Sequence, residues 1–163
     1  MKIVASVFLL LALSLTALGV QADAPTDARA LEGVEQGRVV FDLNNTDPEM
    51  LALYLMVIRE THEDLTDQGV EPDMILAFRG QAVTMISEDR ERFELTEFDH
   101  LDAIEEHIAA LREKGVRMES CSVATRLFGV DAGELLPGIE PVRNTFVSLT
   151  GYQAQGYAVI PIY

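Results

Sequence analysis

Pro72-Asp73-Met74-Ile75-Leu76-Ala77-Phe78 is an apolar run of strand length, closed by Arg79-Gly80-Gln81. It does not alternate, so neither face of such a strand is solvated. Runs of this kind belong to parallel sheets covered by helices on both sides. The neighbouring segments agree with that reading. Upstream, Arg38 to Leu43 is β-branched and aromatic, and Asn44-Asn45 breaks it. A helix start follows at Thr46-Asp47-Pro48-Glu49, with a capping residue, proline in the first turn and glutamate three residues after Thr46. This helix is predicted to reach Gln68 and stop at Gly69.

Downstream, Ala82 to Ile86 is apolar but too short to assign by period, and Ser87 to Glu94 is a charged loop. Phe98, Leu101, Ile104, Ile108 and Leu111 then recur at spacings of three and four, which predicts an amphipathic helix from Glu97 to Lys114. After Gly115, Val116 to Cys121 alternates as a strand would. A short helix from Ser122 to Phe128 follows, then a passage broken by Gly129, Gly133, Pro137 and Gly138. A helix is predicted from Pro141 to Gln155 and a last strand from Tyr157 to Ile162. Strands alternating with helices through short loops imply parallel βαβ units with right-handed crossovers. The class is α/β: one domain over residues 38–163, with four to five parallel strands and helices on both faces.

Lys2 followed by an apolar run from Ile3 to Val20 and small residues at Val20-Gln21-Ala22 reads as a secretory signal cut after Ala22, with an uncleaved anchor as the alternative. Residues 23–37 read as a flexible lead-in. The expected location is periplasmic or secreted, with no membrane contact after cleavage. Removing 22 of 163 residues leaves 141, enough for one hydrophobic core. Loss of Lys2 takes the net charge from −15 to −16, which disfavours nucleic acid and anionic membranes as partners.

Dinucleotide and phosphate-loop glycine motifs, the Gly-x-Ser-x-Gly elbow and Cys-x-x-Cys pairs are all missing, so neither a nucleotide cofactor nor a thioredoxin-type reaction is expected. His62, His100 and His107 lie among acidic residues and read as a solvated face. No metal site and no cofactor are predicted. Cys121 stands apart as the single cysteine, without a disulfide partner in its own chain. It ends a strand and precedes a helix, where ligand sites of open α/β sheets lie and where free N–H groups stabilise a thiolate. Arg79 and Arg126 are candidates to add positive potential there. The alternative is a buried, inert thiol, since free cysteine is among the most buried residue types.

Phe78-Arg79-Gly80-Gln81-Ala82-Val83, the Lys114-Gly115-Val116 start of the strand ending at Cys121, the Leu135-Leu136-Pro137-Gly138 loop and the closing Gln155-Gly156-Tyr157-Ala158 resemble, in order and spacing, the DsrE/DsrF-like sulfur-relay family in an exported, single-cysteine branch. The resemblance implies a Rossmann-like sheet, assembly into trimers or hexamers, and a sulfur donor or acceptor protein as partner. It also implies that Cys121 carries sulfur as a persulfide, in a sulfur carrier or sulfurtransferase-like protein. The second reading is a non-enzymatic oligomeric module in which Asn44, Asn45, Arg79 and Gln81 hold a small ligand and Cys121 is inert.

Overall fold

The run that decides the class lies in the interior of the sheet. In the computed structural model, which describes residues 25–163, five strands form one parallel sheet: β1 (Gln36–Leu43), β2 (Glu71–Phe78), β3 (Arg117–Cys121), β4 (Ile139–Val142) and β5 (Ala158–Ile162). Their order is β4-β3-β2-β1-β5, all neighbours parallel. The predicted signal segment, 1–22, lies outside the described residues. Among the described residues no helix is long and apolar enough to cross a membrane.

Four helices connect the strands: α1 (Pro48–Asp67), α2 (Phe98–Glu113), α3 (Ser122–Phe128) and α4 (Thr145–Ala154). The chain steps in one direction from β1 to β4 and returns across the sheet to β5. Right-handed crossovers therefore place α1, α2 and α3 on one face and α4 on the other. The packing shows the consequence. Leu51, Leu55 and Ile58 of α1 and Ile104, Ile108 and Leu111 of α2 bury Phe41, Leu43, Leu76 and Phe78 in the main core. Opposite, α4 covers only Val40, Ile75 and Ala77, through Leu149 and Tyr152. Helices thus cover both faces, but unequally.

That thinner face is held by polar contacts. Asp73 accepts from Arg117 Nη2 at 2.8 Å and from the Tyr157 hydroxyl at 2.5 Å. Tyr152 of α4 donates to Glu119 of β3. Burial, with that neighbouring carboxylate, pushes the Tyr152 phenol up to about 12, so it stays a donor at any physiological pH.

Most predicted elements stand, with one correction. The predicted helix from Pro141 is two elements: Ile139–Val142 is strand β4, and α4 begins at Thr145. Proline is tolerated because β4 is an edge strand, whose open side needs no donor. Asn144 sets the true start, its side chain accepting from Phe146 N at 3.0 Å. The unassigned stretch after β2 is a 3-10 helix, Gly80–Thr84. At the other end, the Gln68 side chain accepts from Asp27 N at 2.8 Å, and β1 begins at Gln36.

Two of the histidines are not on a solvated face. His62 of α1 and His107 of α2 are half-buried, each with Nδ1 enclosed and unpartnered. Burial lowers both pKa values below 6.5, helped by Lys114 near His62 and Arg59 near His107. The folded state therefore holds fewer protons on these rings than the unfolded chain. Their contribution to stability is complete above pH 6.5 and is lost as pH falls toward the lowered folded values. Thermal melts between pH 7 and pH 5 are expected to show a shallower fall for the double variant His62→Leu, His107→Leu than for the parent.

Candidate active site

Cys121 is the last residue of β3 and the N-cap of α3. Register brings a second helix to it. Cys121 pairs with Val142 at the end of β4, and the short Arg143-Asn144 connection starts α4 beside the sulfur. Because the Asn144 carboxamide takes the Phe146 N–H, the Thr145 N–H is left to donate to Cys121 Sγ, at 3.5 Å. Thr145 is fully buried, and its hydroxyl has no hydrogen-bond partner of good geometry.

Opposing effects set the protonation of the thiol. Burial pushes the Cys121 pKa up, but the Thr145 hydroxyl, the Thr145 N–H and the N–H groups of Ala124 and Val123 outweigh it. The net direction is down from the ordinary thiol range, as expected where helix N-termini meet a sulfur.

Cys121 is only 6% exposed, yet it forms part of a cleft of about 220 Å³. Arg79, Val123, Leu127, Phe128 and Phe146 also line it. Leu127 and Phe146 are 72% and 63% exposed, an apolar rim around a recessed sulfur.

Arg79 follows β2, whose end pairs with Leu43 of β1. Its guanidinium binds Asp42 bidentately, Nε to Oδ1 at 2.5 Å and Nη2 to Oδ2 at 2.9 Å. It also lies 5.6 Å from the Phe146 ring centre. The Asp42 hydrogen bonds raise its pKa against burial, with lesser contributions from Tyr163 and from Cys121. Asn44 completes the clamp. Oriented for hydrogen bonding, its carboxamide accepts from Arg79 Nη1 and donates to the Arg79 carbonyl, each at 3.3 Å. Gly80 must be glycine here: its φ is +56°, and a Cβ would stand 1.8 Å from that carboxamide.

Of the predicted site residues, Cys121 and Arg79 meet in the cleft, and Asn44 joins them through Arg79. Asn45 is 2% exposed with Oδ1 unpartnered, outside the cleft lining. Gln81 lines a separate hollow with Thr46 and Thr84. Arg126 is exposed in the last turn of α3, away from the lining. Thr145, Phe146 and Asp42 were not anticipated. Asn144 after Pro141 was the signal for a later helix start, and a charge inside a buried strand was the signal for Asp42.

Chemically, the arrangement offers a recessed thiol whose pKa is lowered, a backbone donor to its sulfur, and a small apolar chamber above it. That suits nucleophilic attack and sulfur exchange.

Known proteins with this architecture share the sheet. The structure of a protein of unknown function, MTH1491 from Methanobacterium thermoautotrophicum, matches with TM-score 0.62 and 23% identity, over 78% of this chain and all of that one. The ychN protein from E. coli matches with TM-score 0.56 and 18% identity, over the same shares. An uncharacterized protein of Aquifex aeolicus (strain VF5) is 23% identical over 125 residues, 76% of this chain. The chain spans about half, 55%, of that relative's length. The profile of the DsrE/DsrF-like family runs from residue 38 to residue 162, from the third residue of β1 to the last of β5 and across the whole Cys121 site; the chain belongs to that family.

Proposed function

We propose that the protein is an exported sulfur carrier of sulfurtransferase-like chemistry that holds sulfur as a persulfide on Cys121. The observation that carries this reading is the Thr145 N–H, at the start of α4, donating to Cys121 Sγ at the foot of a cleft. The thiolate attacks a sulfane sulfur, keeps it, and yields it to an acceptor thiolate by a second exchange. A homo-oligomer is part of the proposal. Met50, Leu53 and Val57 on α1 are 38%, 44% and 42% exposed at helical spacing, a face that a neighbouring copy would cover.

The low exposure of Cys121 favours one rival, the binding module with an inert thiol. Alkylation separates the two. Native protein is expected to be modified by iodoacetamide at Cys121, and faster as pH rises toward the lowered thiol pKa. A thiol that reacts only after unfolding would defeat the carrier reading.

A further inference from the structure

Granting Cys121 the carrier role, we propose that its cleft selects a sulfane-sulfur donor carried on a small, uncharged aliphatic body and turns inorganic anions away. Among the described residues, Arg79 is the only charged one lining the cleft. Its charge is cancelled by Asp42, which takes the guanidinium fork bidentately and is itself only 6% exposed. The third guanidinium nitrogen is held by Asn44. An anion such as thiosulfate therefore finds no available cation, and it must approach a chain of net charge −15.

The remaining walls are apolar. Val123, Ala124, Leu127, Phe128 and Phe146 offer hydrocarbon contacts. At about 220 Å³ the space is below the roughly 300 Å³ at which sites for drug-sized ligands begin. A body of a few carbons fits. At the foot, Thr145 lines the cleft, its backbone N–H donates to Sγ at 3.5 Å, and its fully buried hydroxyl has no partner of its own, a donor available to the transferred sulfur.

An apolar chamber also favours the protonated donor, R–S–SH, over its anion. The reaction is then a plain exchange. The Cys121 thiolate attacks the outer sulfur, the new Sγ–S bond forms, and the S–S bond of the donor breaks. Its electron pair leaves on R–S⁻, which takes a proton from water, and Cys121 keeps –S–SH. One sulfane sulfur passes between two thiols, so no external oxidant or reductant is needed.

Iodoacetamide and iodoacetate, alike in size and leaving group but not in charge, test the selectivity on the native full chain by intact mass. The preference for the neutral reagent is expected to exceed that of a neutral cysteine peptide by about tenfold, and the iodoacetate rate is expected to climb with salt as repulsion is screened. Asp42→Asn, which leaves Arg79 charged, is expected to narrow the preference. Ethyl hydropersulfide is expected to load sulfur faster than thiosulfate. A preference no larger than the peptide's, an iodoacetate rate that falls with salt, or faster loading from thiosulfate overturns the selectivity while leaving the carrier reading intact. Reaction with neither reagent overturns both. If Asp42→Asn does not fold, the salt dependence of the parent decides.

Discussion

Replacing Thr145 with valine is expected to leave the fold intact and to slow alkylation of native Cys121 near neutral pH by roughly tenfold. Valine keeps the side-chain shape, so packing beneath α4 is conserved. What disappears is the hydroxyl. A hydrogen bond to a charged group contributes about 1.5–3 kcal/mol, and each 1.4 kcal/mol is about one pKa unit, so the thiol pKa rises and the thiolate fraction falls. Stability is expected to hold or improve, because the hydroxyl is fully buried without a partner in the protonated state. Thr145→Ser keeps the donor and is expected to retain the parental pH profile. An unchanged profile in the valine variant would show that the hydroxyl does not act on the sulfur.

Arg79→Met is expected to destabilise the protein by about 3 kcal/mol, read as a lower urea midpoint. Methionine fills part of the space but leaves the Asp42 carboxylate nearly buried and without the two donors that satisfy it. Removing both partners in Arg79→Met, Asp42→Leu is expected to cost less than the arginine change alone, since no uncompensated charge remains. If Arg79→Met unfolds at the parental midpoint, the pair is not structural, and the neutralised cleft loses its basis.

The fold was legible because its signals are long-range regularities. The unbroken 72–78 run, the period of α2 and the capping residues before Pro48 each fixed an element within a residue or two. The 139–145 segment was harder to read because Pro141 argues against a central strand, and only its edge position makes it admissible. For the site, Cys121 and Arg79 were found because each directly follows or ends a strand, and parallel register brings such positions to one edge. Arg126, also expected there, lies away from the cleft lining because it sits in the last turn of α3 and not at a strand end. Thr145 depends on where α4 starts, and Asp42 on a contact between residues 37 positions apart, which no local pattern reports.

The assignment of sulfur carriage to Cys121 is tested most directly by the intact mass of native protein after incubation with ethyl hydropersulfide and, separately, with inorganic polysulfide, using Cys121→Ser as the control. The expected result is a gain of one or more sulfur atoms that reductant reverses and that the serine variant does not show. No gain from either donor, in a protein whose folded state is confirmed, would contradict the assignment and leave Cys121 as packing within a binding module.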